Sequence, residues 1–254
     1  MSLISDLSAS NAKRWAAAKI TRRSEYTSEH GPIPRILAAQ NRYELISRQT
    51  GVHWSFVACT HYRESNLDFS AQLAQGDPLA RVSVHEPKGR GPFQTFEQGA
   101  YDALVRCDPK AALNSLWQHP KIMPDMLTLL EMYNGLGYAR KGVPSPYLWS
   151  GTDMYVKGKY TADRVYSPNV VDKQLGVAGI LVLLNEKVPN LFQSPEKPAE
   201  PVSPVPAPTP APIPSEPFPE PQKPSGPVLN KEGEDISEYL SEFLHNIWEW
   251  LRRH

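Results

Sequence analysis

Residues 53 to 69 read HWSFVACTHYRESNLDF, and this stretch decides the fold class. Residues 53 to 64 carry apolar and aromatic side chains on every face of a helix, which predicts a helix buried in the centre of the protein. After Glu64 the sequence becomes polar and rich in glycine and proline, which favours loops. Glu64 is therefore predicted to end a hydrophobic helix beside a loop-rich cleft.

A carboxyl group in such a position is suited to general acid catalysis. Partial loss of hydration disfavours the ionised form, so the protonated acid is kept for transfer to a leaving oxygen. The alternative is that Glu64 is a solvated residue at a helix end with no chemical task. The dipeptide Glu64-Ser65 is common and does not by itself decide between the two interpretations.

Charge and proline content narrow the class of protein. The 254 residues include 27 basic and 27 acidic side chains, a balance that gives no electrostatic reason to expect nucleic acid as a partner. No stretch reaches the ~18 apolar residues of a membrane-spanning helix. Of the 26 prolines, 14 lie between residues 195 and 227, so the rest of the chain has an ordinary globular composition.

Hydrophobic periodicity predicts a mainly α domain. Residues 34–48 follow a helical pattern, and Thr95 and Gln98 have the spacing of a capping box that opens a helix to residue 107. The alternating residues 79–84 predict a small β-hairpin. Further helices are predicted at residues 9–21, 109–118, 124–132 and 170–186, with a helical turn within the aromatic-rich stretch 147–155.

The changes in composition predict four segments. Residues 1–30 form an N-terminal extension, 31–192 the globular domain, 193–228 a Pro-rich linker in extended polyproline II, and 229–254 an amphipathic helix. The apolar face of this last helix needs a partner surface, since a lone helix of that length is only marginally stable. We expect a protein partner or self-association through residues 236–251. A membrane surface is disfavoured because the segment begins with acidic residues.

Three short motifs follow one another along the chain: Glu64-Ser65, Gly91-Pro92-Phe93-Gln94 and Tyr133-Asn134-Gly135. Their order and helical context resemble the lysozyme-like superfamily, in particular goose-type lysozymes and lytic transglycosylases. Those proteins carry a catalytic Glu followed by Ser, a Gly-x-x-Gln turn and an aromatic-Asn motif. The stretch from the Gly-Asp-Pro-Leu loop at 76–79 to Gly158-Lys159-Tyr160 also resembles phage and prophage lysozyme-family proteins.

The resemblance covers residues 33 to 187 and implies a lysozyme-like α+β fold with a groove for alternating N-acetylmuramic acid and N-acetylglucosamine. Glu64 would protonate the glycosidic oxygen, and Tyr133 would lie near Glu64 at the scissile bond. The substrate-binding candidates are Ser65, Gln94, Tyr133, Asn134 and Tyr147. For these residues the alternative is local structure: a helix end at Asn134-Gly135, a plain turn at Gly91-Pro92, and packing for the aromatic loop.

A second carboxylate separates hydrolysis from transglycosylation. An inverting hydrolase needs a base ~6.5–9.5 Å from the acid, with a water between them. Asp77 is spaced from Glu64 much as in goose-type lysozymes, although a Gly-Asp-Pro sequence also stabilises loops without any catalytic task. The weaker candidates are Asp68, Glu86 and Glu97.

The expected function is a muramidase that acts on peptidoglycan glycan strands, as a phage endolysin or virion-associated lysozyme. The alternatives are a lytic transglycosylase and a non-catalytic virion protein with a lysozyme fold. No cofactor or metal is expected, because the histidines are scattered and form no metal-binding pattern. Cys59 and Cys107 are predicted to be buried thiols, with their pairing left open. Without a recognisable signal peptide, we expect synthesis in the host cytoplasm and action in the periplasm, in the cell wall or from a virion.

Overall fold

The structure, a computed structural model, describes residues 3–107, 123–162, 165–189 and 191, together with Ser237 and Ser241. This part of the chain is mainly helical with one two-stranded antiparallel sheet, which confirms the predicted mainly α class with a small β-hairpin. The α-helices are α1 Leu3–Ala17, α2 Arg23–Thr27, α3 Pro32–Ala38, α4 Gln40–Thr50, α5 Trp54–Ser65, α6 Phe96–Tyr101, α7 Met123–Asn134, α8 Gly137–Arg140, α9 Pro146–Trp149 and α10 Val177–Lys187. The strands are β1 Lys159–Ala162 and β2 Val165–Ser167, and a π-helical turn, Asp102–Arg106, follows α6.

Helix α5 lies at the centre of the fold, as its sequence predicts. Every residue from Trp54 to Tyr62 is buried, and helices α4 and α10 pack against this helix. The imidazole of His53 accepts a backbone N–H of the first turn, and Asn66 ends the helix in the left-handed region at φ 54°. Asn is one of the few residues that adopt this conformation readily. The last turn of α5, which carries Glu64, therefore lies at the surface of the protein.

The position predicted for the β-hairpin is wrong. Residues 79–84 form a loop, while the sheet consists of β1 and β2, with Tyr160 opposite Tyr166. The alternating residues do not form a strand, because their valines do not reach the core: Val84 is 68% exposed. The backbone N–H of Val84 donates to the carboxylate of Asp77 at 2.8 Å instead of joining a strand.

Within residues 31–192, three predicted helices differ from the structure in how they are divided or where they begin or end. The pattern at 34–48 forms two helices, α3 and α4, which meet at Ala39. The last core helix, predicted from residue 170, begins only at Val177. The residues before it form a loop, because Asp172, Gln174 and Leu175 hydrogen-bond to the end of α5. The helix that Thr95 opens is α-helical only to Tyr101 and then continues as the π-helical turn.

The N-terminal segment belongs to the same core as α5. Ile4, Leu7 and Tyr26 are buried within one continuous cluster with the residues of α5. Helix α1 packs along α7. The helix predicted at 9–21 is therefore α1, which spans Leu3–Ala17 and ends earlier than its pattern indicates.

Several predictions fall outside the described residues: the helix at 109–118, the Pro-rich linker and most of the C-terminal helix. Ser237 and Ser241 are both helical, and the hydroxyl of Ser241 donates to the carbonyl of Ser237 at 2.7 Å. Cys59 and Cys107 are both buried, and neither forms a disulfide within the described part of the chain, which confirms the prediction of thiols. Among the described residues, no helix has both the length and the apolar character needed to cross a bilayer.

Candidate active site

Glu64 lies in the last turn of α5 and is partly exposed. Two buried tyrosines from other helices lie within electrostatic reach of its carboxylate. Burial raises the pKa of Tyr133 and of Tyr147 well above the usual value of a phenol, and the negative charge of Glu64 raises each further. The fold thus brings together three sequence-predicted site residues that come from α5, α7 and α9.

Tyr133 joins α7 to α5 and to the loop that follows α5. Its ring stands edge-on to Phe56, with the ring centroids 6.0 Å apart, and its hydroxyl donates to the carbonyl of Leu73 at 3.3 Å. Only 3% of Tyr133 is exposed. Tyr133 is therefore a buried packing residue whose phenol senses the charge of Glu64, rather than a group that contacts solvent.

Tyr147 is buried in the short helix α9, which Pro146 begins. Its hydroxyl makes no hydrogen bond within the described part of the chain, although the Thr60 hydroxyl lies near enough to lower its pKa slightly. The guanidinium of Arg63 lies 5.2 Å from its ring centroid. A buried hydroxyl without a partner is costly, and such groups occur at functional sites. The charges of Glu64 and Arg63 therefore act on the pKa of Tyr147 in opposite directions, Glu64 raising it and Arg63 lowering it.

The loop that carries Asp77 is packed against the end of α5. Gly76 has φ +78°, a conformation that favours glycine, and a Cβ atom at this position would lie 2.7 Å from the carbonyl oxygen of Glu64. Only glycine allows the loop to approach this closely. The backbone of Gly76 therefore fixes the loop beside the last turn of α5.

The carboxylate of Asp77 is held within its own loop. One oxygen accepts the backbone N–H groups of Val84 (2.8 Å) and His85 (3.0 Å), and the other contacts Nδ1 of His85 at 2.6 Å. Burial alone would raise the pKa of Asp77, but the hydrogen bonds from His85 and Val84 outweigh it and lower the pKa. This geometry favours the loop-stabilising interpretation of Asp77, because its oxygens are already engaged by protein donors.

Gln94 is exposed and lies in the loop just before α6, whereas Tyr133 and Tyr147 belong to α7 and α9. Thr95 caps α6 by accepting the N–H of Gln98 at 3.2 Å. The Gln98 side chain accepts the N–H of Gln94 (2.9 Å) rather than that of Thr95, so the predicted capping box is only half formed.

A cleft of about 760 Å³ lies beside this turn. It is close to α6 and the π-helical turn, and its aromatic and amide side chains are of the kinds that bind sugars. Neither Glu64 nor Gln94 lines it. The lining residues are Gln49, Phe93, Thr95, Glu97, Gln98, Tyr101, Asp102 and Arg106.

The other predicted residues have local roles in the structure. The hydroxyl of Ser65 donates to the carbonyl of His61 at 3.2 Å, one helical turn earlier. Asn134 is the last residue of α7, is partly exposed, and is followed by Gly135 at φ 112°. Asn134 therefore follows Tyr133 at the end of α7, where the helix-end interpretation of Asn134-Gly135 applies.

The weaker carboxylate candidates are engaged in local contacts. Asp68 accepts the N–H and the hydroxyl of Ser70, and Glu97 forms an ion pair with Arg42 at 2.7 Å. Glu86 lies 3.5 Å from the ammonium of Lys88 on the surface. Among the described residues, no group of three or more His, Cys, Asp or Glu side chains is arranged to hold a metal ion.

Sequence reasoning missed a buried charge pair next to Glu64. Arg63 donates to Asp172 at 2.9 Å, and Lys159 lies 3.2 Å from the same carboxylate oxygen. The one available signal is the charged Arg63 at the end of an otherwise apolar helix, since a buried arginine requires a carboxylate. The sequence does not reveal which carboxylate it is.

Comparison of this chain with protein-family models, with curated proteins and with solved structures gives no match.

Proposed function

We propose that this protein cleaves the glycosidic bond between N-acetylmuramic acid and N-acetylglucosamine in peptidoglycan, with Glu64 as the general acid. Glu64 protonates the glycosidic oxygen as the bond to the anomeric carbon breaks. Water then completes the reaction in a muramidase. A phage endolysin or a virion-associated lysozyme is the biological role that fits the sequence resemblance.

One observation carries the proposal: a carboxyl group at the emerging end of the buried helix α5, with Tyr133 and Tyr147 within its electrostatic reach. A general acid needs a rigid support and restricted hydration. The buried helix supplies the support and the two buried tyrosines the apolar surroundings. Glu64 itself is partly exposed, as a residue that meets a substrate has to be.

A lytic transglycosylase is the second candidate, and the geometry of Asp77 favours it. Transglycosylation needs no water-activating base, because a hydroxyl of the substrate attacks the anomeric carbon. Asp77 has a lowered pKa and three contacts to donors in its loop, which make it a weak base. The products separate the two reactions, since hydrolysis releases reducing ends and transglycosylation releases anhydro-muropeptides.

We expect the Asp77→Asn variant to keep glycan cleavage within about fivefold of the wild-type rate, because a carboxylate that only stabilises a loop takes no part in the chemistry. The measurement is the rate of release of soluble muropeptides from purified peptidoglycan. The matched control is Asp68→Asn, an exposed aspartate that is also engaged within its own loop. Loss of reducing-end release by a hundredfold or more in Asp77→Asn alone would instead assign Asp77 as the water-activating base.

A protein partner is proposed for the C-terminal segment. Its apolar residues recur at helical spacing, and fully burying each large side chain is worth ~1.5–3 kcal/mol. A membrane is disfavoured by the acidic start of the segment. The apolar residues are Ile236, Tyr239, Leu240, Phe243, Leu244, Ile247, Trp248 and Leu251.

Deleting residues 228–254 is expected to abolish association with that partner, or self-association, and to leave cleavage of soluble glycan unchanged. The catalytic proposal involves only residues outside this segment, so the two properties separate. Light scattering and partner retention on the full-length and shortened proteins provide the measurement. Equal mass and equal retention for both proteins would show that the segment is not a docking element.

A further inference from the structure

The cleft of about 760 Å³ beside α6 lies on the face of that helix that does not pack against the core. The buried face carries Phe96 and Ala100, and the ring centroid of Phe96 lies 4.2 Å from that of His61 in α5. The other face carries Gln98 and Tyr101, which line the cleft. Sites for small ligands usually have volumes of about 300–1,000 Å³. The cleft is therefore a concave surface of suitable size on the opposite face of α6 from α5.

The two carboxylates that line the cleft are neutralised by arginines from outside it. Glu97 forms an ion pair with Arg42 at 2.7 Å, and the carboxylate of Asp102 accepts the Nε–H group of Arg90 at 2.8 Å. In the described part of the chain, no carboxylate forms an ion pair with the exposed Arg106, which also lines the cleft. The positive charge of Arg106 is therefore open to an anionic group of a ligand.

A π-helical turn, Asp102–Arg106, places Arg106 beside Tyr101. In an α-helix, residues five positions apart lie on different faces, because each residue adds about 100° around the axis. A π-helical turn repeats from i to i+5, and such turns are rare and frequently occur at functional sites. The observed contact agrees with this geometry, since the Arg106 guanidinium lies 5.3 Å from the ring centroid of Tyr101. The turn thus brings an aromatic ring and a cation together in the cleft.

The uncharged polar side chains of the cleft are suited to a sugar. Gln49 and Gln98 are both exposed, and the side-chain oxygen of Gln98 accepts the N–H of Gln94 at 2.9 Å, which leaves its amide group to donate. Amide side chains can donate to and accept from hydroxyl and N-acetyl groups. The partly exposed ring of Tyr101 offers an apolar face on which the C–H groups of a sugar ring can pack.

We propose that this cleft is an accessory site that binds a segment of the peptidoglycan glycan strand, apart from the residues that cut it. Tyr101 packs on a sugar ring, Gln49 and Gln98 bind its polar groups, and Arg106 binds a carboxylate of N-acetylmuramic acid or of the attached peptide. The inference rests on the proposed function, which supplies the substrate class. A neutral glycan would leave Arg106 without a partner, so Arg106 selects strands that carry carboxylates.

The test is an NMR titration of the full-length Glu64→Gln protein, in which the side-chain amide signals of Gln49 and Gln98 report on the cleft. The neutral probe is chitotetraose. The two anionic probes are the tetrasaccharide of alternating N-acetylglucosamine and N-acetylmuramic acid, with its stem peptides attached and with them removed. Each probe should shift these signals until the site is saturated, and at least one anionic probe should bind more tightly than chitotetraose.

Two further substitutions in this protein separate stacking from charge. Tyr101→Ala should weaken binding of every probe by about tenfold or more, since tyrosines are among the residues that contribute most to binding. Arg106→Gln should weaken an anionic probe by about tenfold and leave chitotetraose unchanged, because it removes only the charge-assisted contact. The affected probe identifies the carboxylate, either that of the peptide or that of the exposed lactyl group. Arg48→Gln is the matched control, because it removes an exposed arginine next to Gln49 that does not line the cleft.

The absence of saturable shifts with every probe, or unchanged affinities in Tyr101→Ala, would overturn the proposal. Equal losses in Arg106→Gln and Arg48→Gln would exclude a specific carboxylate contact. If Tyr101→Ala does not fold, the exposed Gln49→Ala carries the test and should weaken binding of every probe. Failure of the proposed function is distinguishable: wild-type protein would then release no fragments from peptidoglycan, while the titration would still decide whether the cleft binds glycan.

Discussion

Replacing Glu64 by glutamine is expected to lower the rate of glycan cleavage by ~10²–10⁴, the range associated with general acid catalysis. Glutamine keeps the shape and the hydrogen-bonding capacity of the side chain but cannot donate a titratable proton. The partly exposed position of Glu64 in the last turn of α5 means that the substitution leaves the core intact. Turnover measured on purified peptidoglycan, with thermal unfolding measured in parallel, gives the comparison.

The control for this variant is Glu29→Gln, which changes an exposed glutamate away from α5 in the same way. Glu29→Gln should cut at the wild-type rate. Activity of Glu64→Gln within a few-fold of wild type, with both proteins folded, would exclude Glu64 as the acid. Equal losses in both variants would point to a general effect of charge instead.

The free energy of unfolding is expected to depend strongly on pH because of Glu131, a glutamate of α7 that is only 1% exposed. Burial raises the pKa of Glu131 to about 8, and the charge of Arg14 and the amide of Asn11 oppose this rise. One carboxyl oxygen of Glu131 and the amide oxygen of Asn11 are both buried without a hydrogen-bond partner in the described part of the chain. A buried, protonated Glu131 thus lies at the contact between α1 and α7.

The sign of the pH dependence follows from that shift. The folded protein holds the proton of Glu131 more tightly than the unfolded chain, so the stabilising effect of protonation is complete below the unfolded pKa of ~4.3. It is lost progressively as pH rises to about 8, the folded-state value. At ~1.4 kcal/mol per unit, the free energy of unfolding should fall by an amount on the order of 4 kcal/mol over this interval.

Glu131→Gln is therefore expected to stabilise the protein at pH 8, by about 2–4 kcal/mol. Glutamine is neutral at every pH, and its amide can donate to the unpaired oxygen of Asn11. Urea unfolding at a series of pH values from 5 to 9 measures the effect, with the exposed Glu29→Gln as the reference. Parallel pH profiles for wild type and Glu131→Gln would show that Glu131 is ionised in the folded protein.

The sequence predicts the centre of the fold well because a single helix determines it. Residues 53–64 are apolar on all faces, and such a helix has to be buried whatever surrounds it. The position of Glu64 at its emerging end follows directly. Tyr133 directly follows the helix predicted at 124–132, and Tyr147 begins the aromatic-rich stretch 147–155, for which packing in the core was one of the two interpretations.

The contacts of the candidate site were less predictable, because they join distant parts of the chain. Arg63 and Asp172 are separated by 109 residues, and no local pattern links them. Asp77 presents the opposite case, since its Gly-Asp-Pro context left a catalytic and a loop role equally open. The backbone N–H groups of Val84 and His85 donate to Asp77 and favour the loop role. These contacts depend on the path of the chain, which the residue types alone do not reveal.

The strands were misplaced for a similar reason. The alternation at residues 79–84 satisfies the strand pattern, but a strand also needs a neighbour to pair with, and here the loop turns back to the Asp77 carboxylate. The actual pair, β1 and β2, is supported by aromatic contacts between Tyr160 and Tyr166, with ring centroids 5.3 Å apart. Cross-strand pairs of this kind contribute to sheet stability but are hard to identify before the register is known.

The most direct measurement is the mass of the fragments released when purified full-length protein is incubated with isolated peptidoglycan. We expect disaccharide-peptide fragments from the wild-type protein, with either reducing or anhydro ends, and none above background from Glu64→Gln. Wild-type protein that releases no fragments, or Glu64→Gln that releases as many as wild type, would contradict it.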